Sequence, residues 1–553
     1  MLTQFPSLFV ELTNPSQTLS RTKQLHALIT TANLSHDPFY ATKITRFYAI
    51  NNDLRSARNL FDKTPERSVF LWNSIIRAYA QAHKFNEAFF MYGKMLVTGI
   101  KPDNYTHACL IRACHENFDL DGLRVLHGGV IVSGLGIDSV SCSALVTAYS
   151  KMNYVREASK VFKGIFEPDM VLWNSMISGY SYCGFWNKGL ELFNQMRENR
   201  KQQPDGFTLV GLISGLMDFS LLRIGQGVHG LCLKTGFNCN AYVGSALVSM
   251  YSRFKCINSA YNVFSSLCQP DLVAWSALIT GYSQSGDYNK ALVFCTNLCG
   301  EGKKADPVLI ASVLVAAARL ADLGHGTEIH GYVLRHGFES DIMVSSALID
   351  MYMKCGLVGW GIRVFDNIRN QNIISYNSVI LGLGLHGLAA QAFELFEEML
   401  EKGLKPDEST FSTLLCACCH AGLVKDGWRI YKQMMDEFCI PPRTEHYVHI
   451  VKLLGMAGEL EKAYDFILSL MQPVDSGIWG ALLSCCDFHG NTQLAEIVSQ
   501  QLFDNEPRKG AYRVMLSNIY AGDGRWDDVK KTRDEITNVG VRKMPGVSWI
   551  GGS

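Results

Sequence analysis

Four residues crowded into one short stretch, Cys416, Cys418, Cys419 and His420, form the densest set of metal-ligating side chains in the chain. Three cysteines and a histidine are one ligand set that tetrahedral zinc accepts, but closed zinc sites usually draw on two separated pairs. Residues this close on a helix cannot all face one point, so packing is the expected role and no metal is assigned. Gly225-x-Gly227-x-x-Gly230 has the spacing of a dinucleotide-phosphate loop. That loop needs a preceding strand, and none is legible here, so no nucleotide cofactor is assigned. Two further residue types recur. Trp72, Trp173, Trp275 and Tyr376 could stack on the bases of a single strand. His26, His127, His229 and His330 could serve acid–base work. The aromatics fall on an apolar stripe, and the histidines have no acid or nucleophile at fixed spacing. Both sets are expected to pack helices, and no catalytic residue is assigned.

Composition narrows the class. The 553 residues carry 51 Lys+Arg against 51 Asp+Glu, with 48% hydrophobic and 18% charged residues. That is ample material for a buried core and excludes wholesale disorder. A zero net charge removes the simplest argument for nucleic-acid binding but leaves room for a local basic stripe. Seventeen cysteines in so long a chain fit a reducing compartment better than a disulfide framework. The longest apolar run, Val308 to Ala318, is too short for a membrane span. The first residues, rich in Ser and Thr, have no charged segment ahead of an apolar one; they are weakly similar to an organelle transit peptide.

The elements that position these residues repeat. Trp72-Asn73, Trp173-Asn174, Trp275-Ser276 and Tyr376-Asn377 are spaced by 101, 102 and 101 residues. Leu25-His26, Leu126-His127, Val228-His229 and Ile329-His330 keep the same clock, as do Leu60-Phe61, Val161-Phe162, Val263-Phe264 and Val364-Phe365. Each long unit divides into pieces of 35, 35 and 31 residues. Within one piece, Trp72, Ile75, Ile76, Tyr79 and Ala80 form one helical stripe, and Ala88, Met91, Tyr92 and Met95 form a second. Gly99 and Pro102 then end the second helix. Each piece is an αα-hairpin that cannot bury both stripes alone, so the fold expected is an all-α solenoid of stacked hairpins.

At this level the sequence resembles the pentatricopeptide repeat proteins of land plants, in their arrangement of P, L and S repeats. YNSVILGLGLHGLAAQAFELFEEMLEKGLKPD (376–407) is similar to a P repeat and LIDMYMKCG (348–356) to an S repeat. The register runs from an S repeat at 38–68 through P, L and S repeats at 69–103, 104–138 and 139–169. It continues at 170–205, 206–240 and 241–271, then at 272–306, 307–341 and 342–372, and ends at 373–407, 408–443 and 444–475. Residues 1–37 are read as a short organelle-targeting leader with a degenerate repeat. Residues 476–553 resemble the family's E1 and E2 extension, itself similar to tetratricopeptide repeats, in the segments 478–498, 512–529 and 540–550. The resemblance implies a right-handed α-solenoid superhelix.

It also implies a site. In this family one repeat reads one base of single-stranded RNA through its fifth and last residues. Carried over, the P repeats give Asn73 with Asp103, Asn174 with Asp205, Ser276 with Asp306, and Asn377 with Asp407. The S repeats give Ser143 with Asp169, Ser245 with Asp271, and Ser346 with Asn372. An amide offers a base edge both donor and acceptor, and a hydroxyl does so in less space. The terminal acid could instead only cap the next helix. The L repeats place Ala108, Val210 and Ala311 at the fifth position, where the side chain cannot hydrogen-bond. The family's rule implies the target 5′-U-n-G-U-n-G-G-n-A-U for repeats 69 to 407. Thr42 with Ser68, Ser412 with Arg443, and Val448 with Asp475 give no reading.

The resemblance finally implies a role in organelle C-to-U editing. The His-x-Glu and Pro-Cys-x-x-Cys motifs of a zinc deaminase are missing, so the chain is expected to be no enzyme. It would choose the site and recruit a deaminase-bearing partner of the same family, with small organellar editing factors. Mitochondrion is the expected compartment, with the chloroplast as the alternative. Transcript protection without editing, and a protein-binding solenoid, are the other two classes.

Overall fold

The computed structural model describes residues 18–32, 34, 37–198, 203–237, 240–471, 474–507 and 509–538. Among these residues every regular element is a helix and there is no strand. The 540–550 segment and most of the 1–37 leader lie outside the described residues.

The chain divides into two compact units, residues 1–281 and 282–553. In the first, successive first helices of the hairpins stack side by side: Val69–Gln81, Asn104–Glu116, Ser139–Lys151, Met170–Tyr182, Gly206–Ser214 and Ala241–Arg253. The second unit repeats this layer with Pro307–Leu320, Ile342–Lys354, Ile373–Leu385, Glu408–Ala421, Thr444–Met456, Ser476–His489 and Gly510–Gly522. Away from the boundary between the units, each second helix packs on the first helix of its own hairpin and of the next. The last two hairpins, Ser476–Asn505 and Gly510–Asn538, continue this pattern.

The recurring residues explain the stacking. Phe61 meets Trp72 edge-on with ring centroids 4.7 Å apart. Phe162–Trp173, Phe264–Trp275 and Phe365–Tyr376 repeat that geometry at 5.1, 4.8 and 4.9 Å. All four tryptophan or tyrosine rings are buried, so they join one hairpin to the next instead of facing solvent. The repeating histidine has a partner on the same clock. His26, His127, His229 and His330 each place Nδ1 against the hydroxyl of Tyr48, Tyr149, Tyr251 and Tyr352, at 3.0, 3.1, 3.0 and 2.7 Å.

Burial lowers the pKa of all four imidazoles below the ordinary histidine value. The folded chain therefore binds fewer protons at these sites than the unfolded one. Their contribution to stability is complete above pH ~6.5 and is lost as pH falls through the lowered values. Melting at pH 7.5 and at 5.5 checks this. Replacing all four histidines by glutamine should shrink the acid-induced drop in midpoint; an unchanged drop refutes the assignment.

Length variation has a simple origin. The 31-residue repeats have second helices of 9 or 10 residues, such as Val155–Lys163 and Leu54–Lys63, against 13 in Phe85–Val97. Four residues are about one helical turn, so the deletion shortens the helix without rotating its buried face. The repeat at 206–240 departs from the pattern. Its first helix stops at Ser214, and a 3₁₀ turn, Phe219–Leu221, leads into the second.

Candidate nucleic-acid interface

The last residue of each repeat is a helix N-cap. Asp103, Asp205 and Asp407 accept from the backbone N–H of Thr106, Thr208 and Thr410, each at 2.8 Å. The threonine hydroxyl of the first two completes a wider network. Thr106 Oγ1 donates to Asn73 Oδ1 and Thr208 Oγ1 to Asn174 Oδ1, both at 2.6 Å. Asp169, Asp271 and Asp306 cap Leu172, Ala274 and Leu309, and Asn372 caps Ser375. Both uses weighed from the sequence are thus compatible in one side chain: a cap spends one carboxylate oxygen and leaves lone pairs for a second partner.

Four pairs are brought together. Asn73 Nδ2 donates to Asp103 Oδ1 and Oδ2 at 3.0 and 3.1 Å. Asn174 donates to Asp205, and Asn377 to Asp407, each at 3.1 Å. Ser245 donates to Asp271 at 2.7 Å. Two pairs are not joined this way. Ser143 turns its hydroxyl onto Val140 O of its own helix, 3.1 Å away, and Asp169 is bonded by Ser139 instead. Ser346 has a buried hydroxyl with no protein partner, while Asn372 serves as a cap. Ser276, whose hydroxyl is likewise buried without a protein partner, and Asp306 lie in different units. The carbonyl of Asn377 is also buried with no protein donor.

A row of side chains went unread in the sequence. The second residue of each repeat from 38 to 407 is apolar and exposed: Phe39, Phe70, Tyr105, Val140, Val171, Phe207, Tyr242, Val273, Val308, Met343 and Ile374 range from 37% to 72%. The next two repeats place Ser409 and Glu445 there, so the row stops. The available signal was an apolar residue one place before the helix's core stripe begins. Exposed rings and branched chains at a fixed place can flank flat bases.

The cysteine cluster behaves as packing. Among the described residues no three potential ligands converge. Burial pushes the Cys418 and Cys419 thiols up to about 12, and Cys419 Sγ lies 3.1 Å from His449 O. Gly225, Gly227 and Gly230 sit inside the helix Leu222–Thr235 with no strand before it.

Comparison with known proteins settles the family. A pentatricopeptide repeat family profile matches residues 67–116, 168–218 and 371–420, and a pentatricopeptide repeat profile matches 140–167, 273–297 and 409–437. A pentatricopeptide repeat-containing protein of Arabidopsis thaliana is 54% identical over 99% of this chain and 99% of its own. The chain belongs to the pentatricopeptide repeat family. An E motif profile matches residues 489–551, so this repeat protein carries the family's C-terminal extension. Further Arabidopsis relatives include a mitochondrial one, 33% identical over 97% of this chain and 77% of its own. A chloroplastic one is 35% identical over 98% of this chain and 74% of its own. The crystal structure of maize PPR10 aligns with 94% of this chain and 82% of its own at 15% identity and a TM-score of 0.46. No described helix is long and apolar enough to cross a membrane.

Proposed function

We propose that this pentatricopeptide repeat protein binds single-stranded organellar RNA sequence-specifically and marks a site for C-to-U editing. The observation that carries the reading is the fifth-place amide or hydroxyl bonded to the terminal acid in Asn73–Asp103, Asn174–Asp205, Ser245–Asp271 and Asn377–Asp407. A capped and bonded acid fixes the orientation of its partner, which turns a flexible side chain into a defined donor and acceptor. The row of exposed second-place side chains supports it, because a base held between two of them would meet that group edge-on. The repeats follow the P-L-S order, and the seven pairs named above form the reading set. The E motif favours editing, with a deaminase-bearing partner and small editing factors acting in trans. The chain performs no chemistry itself in this scheme and works in the mitochondrion or, alternatively, the chloroplast.

Binding of 5′-U-n-G-U-n-G-G-n-A-U should exceed that of a scrambled oligonucleotide by at least an order of magnitude, from ~1–3 kcal/mol per good base contact. Equal binding of the two defeats the reading. Sequencing organellar transcripts from a loss-of-function plant separates the roles. A lost C-to-U change just 3′ of a matching string supports editing; altered transcript ends with normal editing support protection.

A further inference from the structure

Three cavities follow one another along the first helices of the first unit. One of about 540 Å³ is lined by Lys43, Arg46, Phe70, Asn73, Arg77 and Tyr105, among others. The next, about 520 Å³, takes Arg77 and Tyr105 from it and adds Ala108, Arg112 and Glu116. The third, about 510 Å³, takes Arg112 and Ala108 and adds Val140, Ser143 and Lys151. Each cavity thus has a cation on either side and a second-place apolar side chain between, and Arg77 and Arg112 are shared walls. Arg46, Arg77 and Arg112 are the ninth residues of consecutive repeats, and all are exposed. The following repeats of this unit place Thr147, Ser178, Ser214, Ser249 and Thr280 at the ninth position. The cationic track is therefore confined to one end.

Its charge balance favours an anion. Asp103 is already bonded by Asn73 and Thr106. Glu116 pairs with Arg112 at 2.8 Å, but the arginine side chain is 75% exposed. Such a surface pair is worth little, so Arg112 can exchange it for a stronger partner. A guanidinium fork suits phosphate oxygens, and arginines spaced one repeat apart suit a chain whose charges recur once per nucleotide.

We propose that Arg46, Arg77 and Arg112 form a phosphate clamp that grips the 5′ part of the bound RNA irrespective of its bases. This rests on the RNA-binding reading above and on the direction of the implied target string, whose 5′ end lies on the first repeats. It gives the repeat at 104–138 a task despite Ala108, which cannot read a base. It also reconciles a neutral chain with a polyanionic ligand, since the cations needed are gathered in one place.

The test uses the full chain and the target extended by two nucleotides at its 5′ end, so that the repeat at 38–68 also meets the strand, with a scramble of the same length, measured across a salt series. Each phosphate contact on a single strand contributes about 0.7 to the slope of log affinity against log salt. The triple variant Arg46→Gln, Arg77→Gln, Arg112→Gln should lose about 2 from that slope. Its affinity for target and scramble should fall by the same factor, leaving their ratio unchanged. Asn174→Ala should do the reverse, changing the ratio and sparing the slope. Removing three nucleotides from the 5′ end should lower the wild-type slope but not that of the triple variant. A wild type that discriminates, with a triple variant of unchanged slope, overturns the clamp. So does a slope that falls only on trimming the 3′ end. A wild type without discrimination instead overturns the RNA reading itself.

Discussion

Replacing Trp72 by alanine is expected to cost about 3–5 kcal/mol, as for other buried aromatics. The ring is 1% exposed and meets Phe61 of the preceding hairpin. Its loss opens a cavity on two sides at once, within a hairpin and at the joint to its neighbour. In a repeat array stability is a sum of hairpin and nearest-neighbour terms, so the damage should be local. Hydrogen exchange is the suitable measurement, because a single unfolding free energy is ill-defined for long arrays. Protection should collapse across residues 38–103 and persist at 206–271. Trp72→Phe should recover most of it, since the indole N–H is buried without a protein acceptor and its removal costs little. Uniform loss across the unit, or none, would contradict the joint assigned to this ring.

The largest functional effect is expected at Asn377. Its amide N–H is held by Asp407 at 3.1 Å, and its carbonyl, buried, has no protein donor. Turned outward from this buried position, that carbonyl can accept from the N3–H of a uracil, the base the family's rule assigns to this repeat. Asn377→Ser shortens the side chain, removes that acceptor position and opens room for a purine. Preference at the tenth nucleotide should move from U to G by about 1–3 kcal/mol, or roughly 5- to 150-fold. Four oligonucleotides differing only there, titrated against both proteins, decide it. A variant that weakens all four equally would mean that Asn377 positions the strand without reading it.

The fold was legible because its markers are pairwise. The tryptophan clock and the phenylalanine clock are two halves of one ring contact, and the histidine clock announces a tyrosine twenty-two residues later, as in His127–Tyr149. Periodicity exposes such partners without any structure. The site was less legible for the same reason reversed. Ser143 and Ser346 occupy the same register place as Ser245, yet only Ser245 reaches its terminal acid. Ser143 bonds a carbonyl of its own helix, Ser245 lies 2.7 Å from both such a carbonyl and its acid, and Ser346 reaches no protein partner, so the outcome depends on small shifts between helices that sequence does not encode residue by residue. The cationic track was hidden by composition: 51 bases against 51 acids average to nothing over the chain.

The double duty of the terminal residue limits how such a protein can acquire a new target. Asp103 holds both Asn73 and the start of the next helix. A change there that improved recognition but could not cap would surrender about 0.5–2 kcal/mol at that helix. The letters available at this place are therefore drawn from the few side chains that begin helices well, chiefly Asp, Asn, Ser and Thr. Arg443, which ends the repeat at 408–443, makes no side-chain cap and spends its charge on Glu408 instead. It stands where the second-place row has already stopped. Retargeting by drift should thus proceed first through the fifth residue, which starts no helix, with the last residue following only within that short vocabulary.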